Sequence, residues 1–542
     1  MLLNAISSLD MRRRFIPVSL RLGVVFLMIL LLTGCASQTL KMKLLEPSLI
    51  ESIPPIQVSS LQLESSDSSL ALQGIQVIFP GEVTQAIYDP ESRSILANCS
   101  LGNDTKKKNK SGTLILFDLD SSKVRWGATG NPSILALANG TAILNYGTDC
   151  RIFDASNGIL LRKSEPGLYL LEDGISLSLT KNEYARIDLA TGSTVWQREG
   201  SNYTGYRWDL RDKDWMYVIA DQFHAFNLMT GEGWNYDIST SHAAHGKAIA
   251  TDVAKSFVAA LFGYYYYGST RAEVTHNVCS LPLASDSLVY LAAGKKCFCF
   301  NRNTGDVVWQ IDLDHELGVM GVFEAGPNVA LVGSGYKYVD FVIKETVPPS
   351  VTLFGLNSGE MVAQVGLETS DLVLDFLCTE EGPFLLTGGH IYHYDKNLNL
   401  VSVCDELTGQ GQFLRFLSKE TPLIVRTVEG VVALSPTSFE VLWETNLGYA
   451  WYDPLDKTNW GWGLPVITRN REKARSWNYN GIQWLASSKG LSAIDLKDQG
   501  KIKLEIPLNW ESPYAVWKEN LITIDSTKVN IIPLKNTRPP GN

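Results

Sequence analysis

Asp118, Asp120 and Ser122 alternate along five residues, the oxygen-rich spacing with which a calcium loop begins. Lys123 stands where such a loop needs glycine for its sharp turn, and lysine is unsuited to that place. His242 and His245 flank two alanines in a loop-like stretch, with no further metal ligand identified beside them. His390 and His393 lie in a strand-like run, where residues three apart point to opposite faces and cannot share one ion. Cys297 and Cys299 flank Phe298 on another such run. Their Cα atoms would be about 6.6 Å apart, near the limit for a disulfide. Buried strand thiols are the expected outcome. No G-x-S-x-G nucleophile elbow, Cys-Cys pair or C-x-x-C-H haem motif occurs in the chain. No catalytic, cofactor-binding or metal-binding residue is therefore assigned.

The remaining aspartates belong to a pattern. ARIDLATGSTVWQREG, residues 185–200, reads as strand, turn, strand, closing on a large aromatic. Asp188 and Thr191 can bond backbone amides in the turn, and Gly192 can take the positive φ that tight turns demand. The cassette recurs with its first slot at Asp118, Asp154, Asp188, Asn227, Asn301, Gly355, Asp395, Ser435 and Asp495. Eight residues on, the aromatic slot holds Trp126, Trp196, Trp309 and Trp443, with Trp234 one residue early. Arg162, Ala363, Val403 and Lys503 stand at that spacing elsewhere. Most intervals lie near the length of one four-stranded propeller blade.

D-x-x-T-G-x-x-x-W after a strand resembles the repeat of the quinoprotein-like, PQQ-type β-propellers, and the likeness spans residues 80 to 540. The resemblance implies an all-β propeller of seven to nine blades, about eight. It also implies that Trp126, Trp196, Trp309 and Trp443 dock one blade onto the next. Among family members the chain is similar to the propeller lipoprotein of the outer-membrane β-barrel assembly machinery, although longer and with looser cassettes. Quinoprotein dehydrogenases of this fold use a quinone stacked on Trp, a calcium ion and a catalytic Asp. That makes a quinoprotein-type oxidoreductase the main alternative to a cofactor-free scaffold. A propeller carries many unrelated functions, so fold alone does not decide. Residues 70–81 and 519–534 are the expected strands of a closing blade that joins both ends of the chain.

The N-terminus carries a sharper motif. Arg12, Arg13, Arg14 and Arg21 precede an apolar run from Gly23 to Leu32, too short to span a bilayer comfortably. Leu32-Thr33-Gly34-Cys35 then fits the bacterial lipobox, whose cysteine is acylated before cleavage. Ala36, where known lipoproteins of the inner membrane carry Asp, favours the outer membrane by resemblance. Residues 1–34 thus read as a lipoprotein signal peptide, 35–75 as the lipidated cysteine with a flexible Ser-rich tether, and 76–542 as the propeller. Insertions are expected near 240–290 and 448–484.

Removing residues 1–34 subtracts four Arg and one Asp, taking the formal charge from −10 to −13. That acidity argues against nucleic acid and against electrostatic adhesion to anionic lipid. The Lys106–Lys110 run sits between two strand candidates and reads as a solvated hairpin loop. Cys99, Cys150, Cys279, Cys297, Cys299, Cys378 and Cys404 remain beside Cys35, an odd number, so at least one is free or pairs outside the chain. Residues 448–465 pack Tyr449, Trp451, Tyr452, Trp460 and Trp462 into an irregular loop. Exposed aromatics of this kind anchor protein interfaces or stack on sugar rings, and otherwise seal a small core. Trp451, Tyr452, Trp460 and Trp462 are the candidate partner-binding residues. The expectation is a monomeric, lipid-anchored periplasmic propeller, without cofactor or nucleic acid, that binds an envelope protein through surface contacts. Glycan binding through the aromatic loop is a third reading.

Overall fold

The computed structural model describes residues 43–64, 71–100, 112–130, 132–146, 149–164, 168–170, 175–180, 183–200, 208–220, 222–238, 280–313, 317–339, 342–346, 348–367, 373–405, 413–418, 420–448, 467–468, 476–479, 481–487, 489–507, 514–517 and 519–534. These residues form ten antiparallel sheets. Nine follow the chain: blade 1 (82–129), blade 2 (133–164), blade 3 (168–199), blade 4 (208–236), blade 5 (283–312), blade 6 (317–366), blade 7 (373–405), blade 8 (413–446) and blade 9 (476–506). Blade 3 shows the plan. Leu168–Leu170, Ser176–Thr180, Glu183–Ile187 and Thr194–Glu199 pair in sequence order, and the cassette turn joins the last two strands.

The tenth blade closes the ring. Tyr514–Trp517, Asn520–Asp525 and Lys528–Pro533 continue into Ala71–Ile78 and then Gln57–Glu64. Ile75 pairs with Ile531 and Val77 with Val529, so strands from both ends of the chain complete one sheet. This corrects the expected count of about eight blades to ten. The cassette turn links a blade's third and fourth strands. In blade 10 the fourth strand comes from the N-terminal segment, so no turn joins it to the third and no cassette marks it. The 74-residue interval between Asn227 and Asn301 hides no blade among the described residues: blades 4 and 5 are successive sheets. Blade 6 lengthens its own interval with the 12-residue strand Asn328–Val339, which also pairs with Val342–Thr346.

Two expected boundaries move as well. Gln57–Glu64 belongs to the closing blade, and Lys43–Leu44 pairs with the outermost strand of blade 1. The stretch beyond residue 43 was expected to be tether, but its apolar residues find partners: Ile53 and Ile56 pack on the core around blade 1. The insertions end where blade strands begin, at Leu283–Ala284 and Ser476–Tyr479. Within the second insertion, Ile467–Thr468 pairs with Glu82–Asp89, the innermost strand of blade 1.

The core lies between blades. Alternation sends every second side chain of a strand to one sheet face, and each face meets the next blade. Blades 3 and 4 share Leu177, Tyr184, Met216 and Phe226, while blades 4 and 5 share Tyr217, Phe223, Val289 and Phe300. Between blades 9 and 10, Trp484 and Leu504 pack on Leu521 and Ile532. Val77, Ile522 and Ile531 of blade 10 meet Val83, Ala86 and Ile95 of blade 1, which completes the circuit.

A tryptophan clasp reinforces each of several junctions. Trp126 donates its indole N–H to Ala155 O at 2.9 Å, Trp196 to Leu228 O at 3.0 Å, Trp234 to Arg302 O at 2.8 Å and Trp309 to Leu356 O at 2.9 Å. Each acceptor directly follows the first cassette slot of the next blade. The ring then lies over that blade's turn glycine. At Gly305 the backbone has φ +76°, and an added Cβ would lie 2.5 Å from the Trp234 indole. Glycine is required there twice, by the left-handed backbone and by the close approach. Trp126 covers Gly158, Trp196 covers Gly231, Trp309 covers Gly359 and Trp443 covers Gly500 in the same manner.

Gly326 separates the two requirements, because its φ is +64° but nothing lies within 4 Å of an added Cβ. Gly326→Ala should cost only the left-handed penalty, about 1–2 kcal/mol. Gly305→Ala should cost clearly more, since Trp234 must also shift. Denaturant unfolding of the two variants measures the difference, and equal losses would show that the indole is not tightly seated.

Candidate functional site

The outward edge of the ring is set by a one-residue irregularity. In blade 3, Arg186 pairs with Trp196 and Ile187 with Thr194, which leaves Val195 as an extra residue on the outer strand. A bulge of this kind re-aims a side chain. The register shifts at the equivalent point in blades 1, 2, 5, 6, 7, 8 and 9. The extra residues are Arg125, Leu161, Val308, Val362, Val401, Leu442 and Lys503. Leu161, Val195, Val308, Val362, Val401 and Leu442 are all exposed. Blade 4 has no shift: Ala225 pairs with Trp234 and Phe226 with Gly233. Its missing bulge residue is the reason Trp234 comes one residue early.

The bulge also corrects two aromatic-slot assignments. In blade 7 Ser402, not Val403, stands opposite His393, where blades 1, 3, 4, 5 and 8 place Trp. In blade 9 Leu504 fills that place, opposite Ala493, and Lys503 is the bulge residue.

At the ends of the aliphatic row the bulge residue is basic and turns back onto its own blade. Arg125 donates through Nε and Nη2 to Asp118 Oδ2 at 2.9 and 2.7 Å. Lys503 Nζ donates to Asp498 Oδ2 at 2.7 Å. Between them, blades 2 to 8 present the aliphatic row, with Met229 exposed in the turn of blade 4.

The first cassette slots are occupied by turn chemistry. Asp188 Oδ1 accepts the N–H groups of Ala190 and Thr191 at 2.8 and 3.2 Å, and Asn301 Oδ1 those of Asn303 and Thr304 at 3.0 and 3.1 Å. Asp118 does likewise for Asp120 and Ser121, so the calcium-like spacing forms an Asx turn. Burial tends to raise the Asp118 pKa, but Arg125 and the two backbone N–H groups outweigh it and hold the carboxyl below its ordinary value. The Asp154 carboxyl is also held low, by the hydroxyl and N–H of Ser156.

His390 reaches the Asp405 carboxylate at 3.6 Å. His393 is buried and stacks on Phe384 with ring centroids 4.2 Å apart. Among the described residues no cluster of three His, Cys, Asp or Glu side chains is placed to hold a metal ion. Cys99, Cys150, Cys297, Cys299 and Cys404 are buried free thiols, and Cys378 is half-buried. Burial pushes Cys297 and Cys299 up to about 12, which makes both poor nucleophiles at neutral pH.

Trp451, Tyr452, Trp460 and Trp462 lie outside the described residues, as do Cys35, Cys279, His242 and His245. Trp126 and Trp309 are buried, and Trp196 and Trp443 half-buried, at the blade junctions. Sequence reasoning missed the aliphatic row. Its signal is the pair of apolar residues directly before the aromatic slot, as in Val307-Val308 and Val441-Leu442, a pattern that strand propensity also produces.

The described sheets define a β-propeller of ten blades. No protein-family model matches the chain, and no curated protein matches it. Among solved structures it is similar to BamB from Moraxella catarrhalis, at 13% identity and a TM-score of 0.29, over 70% of this chain and 98% of that one. It is also similar to the Cps50 (Swd1) β-propeller domain of Myceliophteria thermophila, at 9% identity and a TM-score of 0.26, over 70% and 96%. A eukaryotic initiation factor aligns at 11% identity and a TM-score of 0.31, over 72% and 96%.

Asp118→Asn tests the turn assignment. Asn227 and Asn301 show that an amide oxygen serves the Asx turn, so the variant keeps the turn and loses only the ion pair with Arg125. A carboxyl held low in the folded state contributes stability above its unfolded value, near 3.9, which is lost as pH falls through the lowered one. Wild type should therefore exceed the variant by at most about 1 kcal/mol at pH 7, the range of partly exposed pairs. The gap should close in strong acid. Urea unfolding at both pH values reads it; a gap that widens in acid would reject the ion-pair account.

Proposed function

We propose that this chain is a lipid-anchored periplasmic β-propeller of the outer membrane, acylated at Cys35, that serves as a non-catalytic scaffold for envelope proteins. The anchor rests on the basic segment, short apolar run and Leu-Thr-Gly-Cys motif of residues 12–35. The scaffold reading is carried by one observation: blades 2, 3 and 5 to 8 each expose an aliphatic side chain at the same bulge. A row of this kind offers a partner apolar contact along an arc, and exposed apolar surface marks interaction sites. An oxidoreductase would need an Asp free to act on substrate, whereas the cassette carboxylates described are engaged in turns. The aromatic loop with Trp451, Tyr452, Trp460 and Trp462 is a second anchor on this reading.

Cys35→Ser should abolish incorporation of a palmitate analogue, because the thiol is the acylation site. Equal labelling of mutant and wild type would sink the anchor.

The scaffold is tested by replacing Val362, Val401 and Leu442 together by Lys, alongside a second variant with Trp451, Trp460 and Trp462 replaced by Ala. Anchors at a protein interface are worth about 2 kcal/mol or more each, so either variant should lose its cross-linked envelope partner in intact cells. The lysine variant should melt like wild type, because its sites are exposed. Retained cross-links in both variants would reject the reading. Retained cross-links with a lowered melting temperature in the alanine variant would make the aromatic loop a structural seal.

A further inference from the structure

The aliphatic row widens at one place. Leu44 lies against Gly158, since a Cβ added to that glycine would stand 2.9 Å from the leucine side chain. Leu44, Leu49, Ile159, Leu160 and Leu161 are all exposed, and Leu161 is the bulge residue of blade 2. Leu44 thus meets the start of the apolar run 159–161 at the junction of blades 1 and 2, and Leu49 follows on the short helix packed against the outermost strand of blade 1. Within blade 2, Arg151 and Lys163 both pair with Asp149, which leaves a single net positive charge on that group.

The segment that supplies Leu44 and Leu49 is held to blade 1. Lys43 pairs with Thr129, Leu44 with Ala128, and Leu45 donates its N–H to Gly127 O at 2.8 Å. Pro47–Glu51 follows as a short helix against the same strand. Only eight residue steps separate Lys43 from Cys35, a reach of at most about 29 Å when fully extended. An acyl group at Cys35 therefore keeps this edge of the ring close to the bilayer.

We propose that the patch at the junction of blades 1 and 2 seats on the lipid surface and holds the propeller edge-on to the membrane. This rests on the reading that Cys35 is acylated. The leash selects the occupant: Leu44 follows it directly, so the patch stays within about 3 nm of the acylated cysteine. The contact is apolar rather than electrostatic, in keeping with the acidic mature chain. Aliphatic side chains entering the headgroup boundary add to the holding power of acyl chains, as second membrane signals do. Blade 7, five blades away around the ring, then faces the periplasm with the rest of the row free for a partner.

The test uses the full-length lipoprotein purified from bacterial membranes, with its acyl mass confirmed at Cys35. Bimane is attached at Leu160→Cys or, as the opposed control, at Val401→Cys, and the signal of the identically treated wild type is subtracted. The protein is reconstituted in vesicles of phosphatidylethanolamine with a minor share of phosphatidylglycerol and brominated acyl chains. Quenching at position 160 without quenching at 401 is expected. Adding Leu49→Glu and Leu161→Glu should abolish it while the acyl mass and melting temperature stay unchanged. An acylated protein with no quenching at 160, or with equal quenching at both positions, overturns the seating and leaves the anchor standing. Absence of acyl mass overturns the anchor and, with it, the proposal.

Discussion

A single hydrogen bond, from an indole N–H to the carbonyl that follows the next blade's first cassette residue, fixes how the blades meet at four junctions. It constrains three things together. The donor must be Trp, the only side chain that offers both a flat apolar face and an N–H at this reach. The acceptor must be freed by a turn that leaves its carbonyl outside the ladder. The residue beneath the ring must lack a Cβ. Thr-Gly in one blade and Trp in the blade before it therefore answer to each other, and the cassette read along the chain is half of each of two contacts.

The bulge follows from the same constraint. An antiparallel pair running without interruption would place the aromatic side chain by strict alternation from the turn. One extra residue on the outer strand shifts the register beyond it and increases the local twist. Blade 4 reaches the same contact, Trp234 on Arg302 and Gly305, without the extra residue, because its outer strand is one residue shorter. The side chain expelled by the bulge has nowhere to go but outward. An aliphatic row on the rim is thus a geometrical product of docking the blades, and its chemical character is what the sequence is free to choose. Arg125 and Lys503 are the polar choice, Leu161 to Leu442 the apolar one.

Much of this architecture is legible in the sequence because turn chemistry is local. Asp188, Thr191 and Gly192 dictate their turn wherever it occurs, and nine repetitions reveal the fold. Blade number was not legible. Closure joins Ile75 to Ile531 across the whole chain, and a sheet assembled from distant strands leaves no cassette to count. The tether was misjudged for a related reason: Gln57–Glu64 is Ser-rich and polar because it is the outer strand of a sheet, a composition shared with linkers. The exposed rim was hidden by propensity, since Val and Leu before a Trp look like strand interior until pairing shows which of them the ladder leaves out.

Where the Trp slot has changed, the junction is held by other means. Arg162 replaces Trp in blade 2: its methylene stem packs on Gly192 and its guanidinium donates Nη1–H to the Gly192 carbonyl oxygen, a different acceptor from the one an indole takes. Ala363 in blade 6 leaves room, and Phe323 meets Phe376 of blade 7 across the same junction with centroids 5.0 Å apart. Ser402 makes no indole contact, yet Asp375 Oδ2 accepts the Phe416 N–H at 2.9 Å and ties blade 7 to blade 8. Arg426, buried and lowered to about 10 by that burial and by Arg415, still carries its charge at neutral pH. It donates to Gly430 O in its own blade and to Ala486 O in blade 9, an inner contact at a junction where Trp443 is kept over Gly500. Leu504 ends the series by packing with Trp484 in a wholly apolar seam against the closing blade. The degenerate cassettes of blades 6, 7 and 9 are therefore junctions whose adhesion has moved inward from the rim to the sheet faces. Such a move frees the outer strand of blades 6 and 7 from docking and leaves Val362 and Val401 unencumbered on the arc farthest from the N-terminal segment.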